Sequence, residues 1–257
     1  MREVEEADVF DRKWRRGTKS EDRLLPWHTP CQSSSVNDVD LAREAIRELS
    51  PELETQFITV YDFLVDNPDF APAISKIRLG EDSYPRKLAL RFVKGRAERR
   101  PSVPSTVPDP VVSIVMEEYF GASVDELLRI SGEHASSMGA ENIVGDLLER
   151  YISHRLEERE WVWCSGSAVR SIDFVRRRED GSWESLQVKN RDNSENSSSS
   201  AIRNGTPIEK WYRTKSRTGE TCWNIFPVDV PDDVAFGEMD FQRFVRDYLR
   251  RLLLKSS

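Results

Sequence analysis

Ser171-Ile172-Asp173-Phe174-Val175 is followed by a charged turn and then by Leu186-Gln187-Val188-Lys189-Asn190. Ile172, Phe174 and Val175 form one strand-like run, and Trp183, Leu186 and Val188 form another. The polar stretch between them ends in Asp180-Gly181, a pair that favours a hairpin because both residues tolerate positive φ. A hairpin of this length brings Asp173 beside Gln187 and Lys189. Strand alternation places Gln187 and Lys189 on one face. A carboxylate, an amide and a lysine converging at strand ends suit a hard divalent cation and a lysine beside an attacking water. An isolated strand lysine is normally only a solvated one, so Lys189 has to be read with its neighbours.

The chain around this hairpin is long enough, at 257 residues, for one large domain or two modest ones. Its 38% hydrophobic and 32% charged residues fit a polar globular protein. No apolar run reaches the length of a membrane span, and the first residues lack a signal-peptide core, so the expected location is the cytoplasm. Cys31, Cys164 and Cys222 are far apart and form no CxxC pair, which indicates neither a disulfide framework nor a zinc site. A net charge of −7 argues against a general polyanion binder but leaves room for a local basic groove.

Residues 1–35 read as an arm of low intrinsic order that Trp14 and Trp27 can pin to a body. Helical periodicity then begins, with Leu41, Ala45, Ile46 and Leu49 after a cap at Asn37 or Asp38. Ser50-Pro51 opens a second helix that Asn67-Pro68 stops, a third is expected over 71–79, and Pro85 begins a fourth. The arginines Arg96, Arg99 and Arg100 lead into Pro101, Pro104, Pro108 and Pro110, an extended connection. A helix follows over 111–120. Ser123 and Glu126 form a capping box for the next, and the small residues 131–139 read as a loop.

A new helix is expected to start at Glu141, with Ile143, Leu147, Leu148, Ile152 and Leu156 as its buried stripe. Glu141 then lies in the first turn, where the helix dipole favours a carboxylate. Gly145 weakens that helix and makes sense where another backbone crosses close by. Strands are expected over 161–165, 171–177 and 183–190, a helix from 206 or 207 to about 212, a strand over 221–226 and a final helix over 239–254. The whole is a mixed α/β arrangement.

That order, with Glu141 on the leading helix, Asp173 at a strand end and Gln187-Val188-Lys189 on the next strand, resembles the PD-(D/E)XK nuclease core over about residues 138–228. Ile172 stands where that pattern has proline, and Gln187 replaces its second acid. An amide oxygen is a weaker cation ligand than a carboxylate. The continuation Asn190-Arg191-Asp192-Asn193-Ser194-Glu195-Asn196-Ser197-Ser198-Ser199, with Ile202-Arg203-Asn204-Gly205-Thr206-Pro207-Ile208-Glu209-Lys210-Trp211, is similar to the SinI/AvaII family of type II restriction endonucleases. The resemblance implies a restriction-endonuclease-like core and magnesium-dependent cleavage of double-stranded DNA at a short near-palindromic site, GGWCC in that family. It also implies a cognate DNA methyltransferase that shares the site. The implied layout is an arm over 1–35, a helical region with the Pro-rich connection over 36–110, and the nuclease core with recognition segment and C-terminal helix over 111–257.

Phosphodiester hydrolysis needs charge neutralised on the phosphate, an activated water and a stabilised leaving oxygen. In this frame Asp173 and the main-chain carbonyl of Val188 hold magnesium, with Gln187 contributing weakly. Lys189 orients or deprotonates the water. Glu141 serves a second cation or a metal-bound water, unless it is only a helix-start surface carboxylate. Asn190, Asn193, Asn196, Ser197, Ser199, Arg203, Asn204 and Thr206 are candidates for reading bases or holding phosphates, and Lys210, Arg213 and Lys215 form a basic run along a backbone. A near-palindromic site predicts a homodimer, with the helical elements or the 239–254 helix at its interface. Two other readings stay open: a DNA-binding protein that does not cut, because Gln187 weakens metal binding, and a structure-selective repair nuclease.

Overall fold

The computed structural model describes residues 36–105, 109–192, 208–230 and 236–255. The arm over 1–35 with Trp14 and Trp27, and the site candidates Asn193, Asn196, Ser197, Ser199, Arg203, Asn204 and Thr206, lie outside the described residues.

Three helices come first: α1 (Val36–Leu49), α2 (Glu54–Asp66) and α3 (Tyr84–Arg96). Their apolar stripes meet, burying Ala42, Ile46, Phe57, Tyr61, Leu64, Leu88 and Phe92. Ser50-Pro51 opens a short 3-10 turn, Pro51–Leu53, before α2. Glu54, in the first turn of α2, draws the guanidinium groups of Arg43 and Arg47 from α1 at 2.9 and 2.6 Å. Pro85 stands in the first turn of α3 as expected. The helix expected over 71–79 does not form. Ile74 and Ile77 face each other across a tight turn, with Ser75 and Lys76 at φ 52° and 68°. Their spacing of three mimics a helical face, but the turn carries both side chains onto the α1–α3 cluster.

After the proline-rich connection, α4 (Pro110–Glu118) and α5 (Val124–Leu156) form a hairpin. Ser123 and Glu126 make the reciprocal capping box that their spacing predicts. The expected loop over 131–139 is instead continuous helix, so α5 runs for 33 residues. Of the two glycines in that stretch, Gly139 serves packing and Gly132 has open space around it. A Cβ on Gly139 would meet the Ser102 carbonyl oxygen at 2.8 Å, whereas nothing lies within 4 Å of one on Gly145. The close backbone crossing expected at Gly145 therefore falls six residues earlier.

Among the described residues the sheet holds four strands in the order β1-β2-β3-β4: β1 (Val162–Trp163), β2 (Phe174–Arg177), β3 (Trp183–Arg191) and β4 (Ile208–Thr214). β1, β2 and β3 are successively antiparallel, and β4 joins β3 in parallel. The hairpin turn is the expected one, with Gly181 at φ 82°. The helix expected to end near Tyr212 is β4. Aromatic and β-branched residues (Ile208, Trp211, Tyr212, Thr214) suit a pleated surface, and β3 offers a backbone edge that a local reading cannot see. The strand expected over 221–226 reduces to one bridge, Thr214 to Thr221, and a 3-10 turn, Trp223–Ile225.

Alternation sorts the strands onto two cores. Val162 and Val175, paired in the ladder, join the α1–α3 cluster. Trp163, Phe174, Leu186, Val188 and Trp211 face α5 and the last helix, α6 (Glu238–Leu254). The result is a mixed α/β fold with helices on both sheet faces. The α3 end is bound to the sheet region by backbone contact and charge. A Cβ on Gly95 would meet the Gly166 nitrogen at 2.1 Å. Buried Arg150 of α5 donates to the carbonyls of Gly95, Arg96 and Ala97, which caps α3 from the side.

Candidate active site

Asp173 immediately precedes β2, and its backbone continues the ladder: its N–H donates to Leu186 O at 2.9 Å and its carbonyl accepts from Cys164 N at 2.8 Å. Its carboxylate turns to β3, where Oδ2 accepts from Val188 N at 2.7 Å. The N–H and C=O of one strand residue point to the same edge, so the Val188 carbonyl also faces the Asp173 side. Gln187 and Lys189 occupy the sheet face opposite Leu186 and Val188. Gln187 is buried, with 1% exposure, and Lys189 is half-buried. Burial raises the Asp173 pKa, while the Lys189 charge and the Val188 N–H oppose that rise. The hairpin thus gathers the carboxylate, the carbonyl and the lysine as its register implies.

The helix carboxylate that lies near Asp173 is Glu149. Glu141 is exposed and lies well inside α5 rather than in its first turn. Glu149 is two turns further on, about 12 Å along the axis and about 80° around it. Its carboxylate accepts from Trp163 Nε1 at 2.9 Å. Burial, and then the charge of Asp173, push its pKa up to about 8. Tryptophan donation and the Lys189 charge act the other way. Its sequence signal is its place: Glu149 stands among Leu147, Leu148, Tyr151 and Ile152, which are buried. The helix start expected at Glu141 lies instead at Val124, so Glu141 falls in mid-helix.

Lys210 lies directly across the ladder from Gln187. Burial and the nearby positive charge of Lys189 lower its pKa, against a raising influence from Asp192. Two lysines therefore share this part of the sheet. Other basic candidates are committed elsewhere. Arg213 grips both oxygens of Glu238 at 2.7 and 2.8 Å, donates from Nε to Asn190 Oδ1 at 2.9 Å and stacks on Phe241. It ties β4 to α6, and Asn190 is engaged with it through its side-chain oxygen. Lys215 makes an exposed pair with Glu220 at 2.6 Å, which phosphate can displace at little cost. Arg96, in the basic run before the prolines, is bound to Glu157 at 2.6 Å and to Trp163 O at 3.1 Å.

A family model for SinI restriction endonuclease matches residues 38–251. The chain belongs to the SinI restriction endonuclease family. It is 43% identical over 222 residues to the type II restriction enzyme Eco47I of Escherichia coli, covering 84% of this chain and 96% of that protein. It is 42% identical over 221 residues to the type II restriction enzyme SinI of Salmonella infantis, with the same coverage. Both matches span the hairpin and the helices around it.

For a member of this family the donor set can be tested against a divalent cation. Among the described residues no three His, Cys, Asp or Glu side chains come together as metal ligands. Two buried acids, Asp173 and Glu149, lie near each other, and the ionised Asp173 adds to the rise of the Glu149 pKa. A cation between them relieves both burial and repulsion. With the Val188 carbonyl, the candidate donors are all oxygens. That chemistry suits magnesium, which keeps several of its waters, and does not suit a soft metal. Among the described residues no helix is long and apolar enough to cross a membrane.

Proposed function

We propose that this chain, a type II restriction endonuclease by family, hydrolyses double-stranded DNA at a short near-palindromic site of the GGWCC kind, using magnesium held at a PD-(D/E)XK-like centre. The observation that carries this reading is the Asp173 carboxylate fastened to Val188 N, with Lys189 one residue further along the same strand. Asp173 and Glu149, with the Val188 carbonyl and a weak contribution from Gln187, would hold the cation. Bound there, magnesium supplies charge for the phosphate and lowers the pKa of a water. Lys189 positions that water, or accepts its proton, from the sheet face beside Gln187. Lys210, across the ladder from Gln187, would neutralise a non-bridging oxygen.

Sequence readout belongs in this proposal to the stretch joining β3 to β4, with Arg203 reading guanine and Asn193, Asn196, Ser197, Ser199, Asn204 and Thr206 sharing base and phosphate contacts. Its start, three residues after Lys189, supports that assignment. The enzyme acts as a homodimer in the cytoplasm, where a cognate methyltransferase protects the same sites.

The test is digestion of mixed-sequence plasmid DNA with and without magnesium, followed by sequencing of the ends. Discrete fragments ending within one near-palindromic site are expected with magnesium. Lys189→Ala should abolish them while leaving the shift of a cognate duplex largely unchanged. Gln187→Glu should keep cutting or change the metal preferred, and Gln187→Ala should be worse. A shift without cutting would make the chain a binder, and cutting confined to branched DNA would make it a repair nuclease. A Lys189→Ala enzyme cutting at near-normal rates would remove the assignment.

A further inference from the structure

The α4–α5 hairpin differs from the rest of the described molecule. No residue of α4 is buried, and along α5 burial begins only at Gly139. The sequence here is nevertheless apolar. Val111, Ile114, Val115, Tyr119, Phe120 and Leu128 are between 48 and 81% exposed. Val111, Ile114 and Val115 recur at helical spacing on one face of α4. Six exposed apolar side chains on one hairpin are a concentration of the kind that marks a protein contact. Between the helices runs a cleft of about 420 Å³, whose walls include Val112, Met116, Leu127, Ile130 and Met138. At the hairpin tip Tyr119 and Phe120 stand edge to face, ring centroids 5.0 Å apart, with Tyr119 81% exposed.

DNA does not fit this surface. Residues 109–130 carry Asp109, Glu117, Glu118, Asp125 and Glu126 against Arg129, and phosphate would be repelled. A protein surface does fit, and the hairpin carries both halves of a self-complementary contact: an aromatic knob and an apolar cleft. In a two-fold interface a knob on each copy meets a hole on the other. The described part of each chain carries one Asp173–Lys189 centre, while a near-palindromic duplex has two scissile bonds related by a two-fold axis.

We infer that this hairpin is the surface through which two copies of the chain associate, the Tyr119–Phe120 tip of one entering the α4–α5 cleft of the other. The second copy is chosen over other partners because it rests on the reading of the chain as a nuclease that cuts both strands.

Sedimentation equilibrium of the full chain without DNA tests it. The wild type should be dimeric at micromolar concentration. Val115→Glu and Leu128→Glu should each raise the dissociation constant at least about tenfold, because a two-fold interface meets every added charge twice. Tyr119→Ala with Phe120→Ala, which adds no charge, should weaken the dimer in the same direction. Met239→Glu, at a position 83% exposed on α6, should leave it unchanged. Far-UV circular dichroism checks that each variant is folded. A monomeric wild type, folded hairpin variants that remain dimeric, or dissociation by Leu253→Glu on α6 instead, would each overturn the inference. Plasmid cleavage separates this from the nuclease reading. A dimer broken by the hairpin variants but never cutting DNA with magnesium would keep the interface and sink the enzyme assignment.

Discussion

Glu149 links stability to pH through one buried carboxyl. Its folded pKa lies above that of an unfolded glutamate, mainly through burial. A raised acid pKa means that the folded chain holds the proton more tightly than the unfolded chain. The stabilisation is therefore complete below the unfolded value and is lost as pH rises from there to about 8. Asp173 shifts in the same direction and adds to the effect. Without metal, the melting temperature should fall by several degrees between pH 5.5 and pH 8, and magnesium should restore more of it at pH 8 than at pH 5.5. Glu149→Gln should flatten this profile, blunt the magnesium response and remove cleavage, whereas Glu141→Ala should cut normally. Thermal denaturation against pH, with and without magnesium, is the measurement. An unaltered profile in Glu149→Gln would take that carboxyl out of the metal centre.

Among the elements, β4 was the hardest to read and has a large effect on the site. Its sequence suits a short helix or a strand, and its local pattern does not choose. The parallel edge of β3 does, because pairing satisfies the backbone of both strands and sets Lys210 across from Gln187. Arg213 then points to α6, where Glu238 accepts two of its hydrogen bonds. A guanidinium so committed stabilises the fold. Arg213→Ala leaves Glu238 half-buried without its cation, at a cost of about 2–4 kcal/mol. Denaturant unfolding should show that loss, while the ratio of cognate to scrambled DNA affinity stays within about twofold, far below what a lost base contact costs. A tenfold loss of that ratio with unchanged stability would return Arg213 to the recognition surface. The 33-residue α5 teaches a similar lesson. Ser and Gly look like a break at 131–139, but Gly139 is small because the Ser102 backbone passes against it.

For the whole molecule, the proposed function pairs the Asp173–Lys189 centre of each chain with a symmetric substrate. If Arg203 reads a guanine in each half-site, Arg203→Ala loses two contacts per dimer, each about 1–3 kcal/mol. Specific cleavage should nearly vanish while affinity for a scrambled duplex changes little. Lys215→Ala should weaken both duplexes alike and flatten the salt dependence. Titrations of both variants at several salt concentrations separate the two roles. Equal loss on both duplexes for Arg203→Ala would make Arg203 a phosphate contact. The acidic net charge of −7 is compatible with such binding because acids and bases are segregated: the hairpin is acid-rich, whereas Lys189 and Lys210 meet at the sheet.

The hairpin of β2 and β3 was legible from sequence because its determinants are local: a turn dipeptide, strict alternation and a spacing that can bring Asp173 only to β3. The α1, α2, α3 and α6 stripes and the Ser123 capping box were legible for the same reason. What needed tertiary structure was every choice between alternatives that are equal locally. Ile74 and Ile77 share a helical spacing but meet across a turn. Arg213 belongs to a basic run but is neutralised by an acid 25 residues away in the chain. Glu141 and Glu149 are both acids on one helix, and only the packing of α5 over Trp163 and Phe174 puts Glu149 beside Asp173. Burial and long-range charge decide such cases, and both are properties of the folded chain, because they depend on which distant residues exclude water around a group.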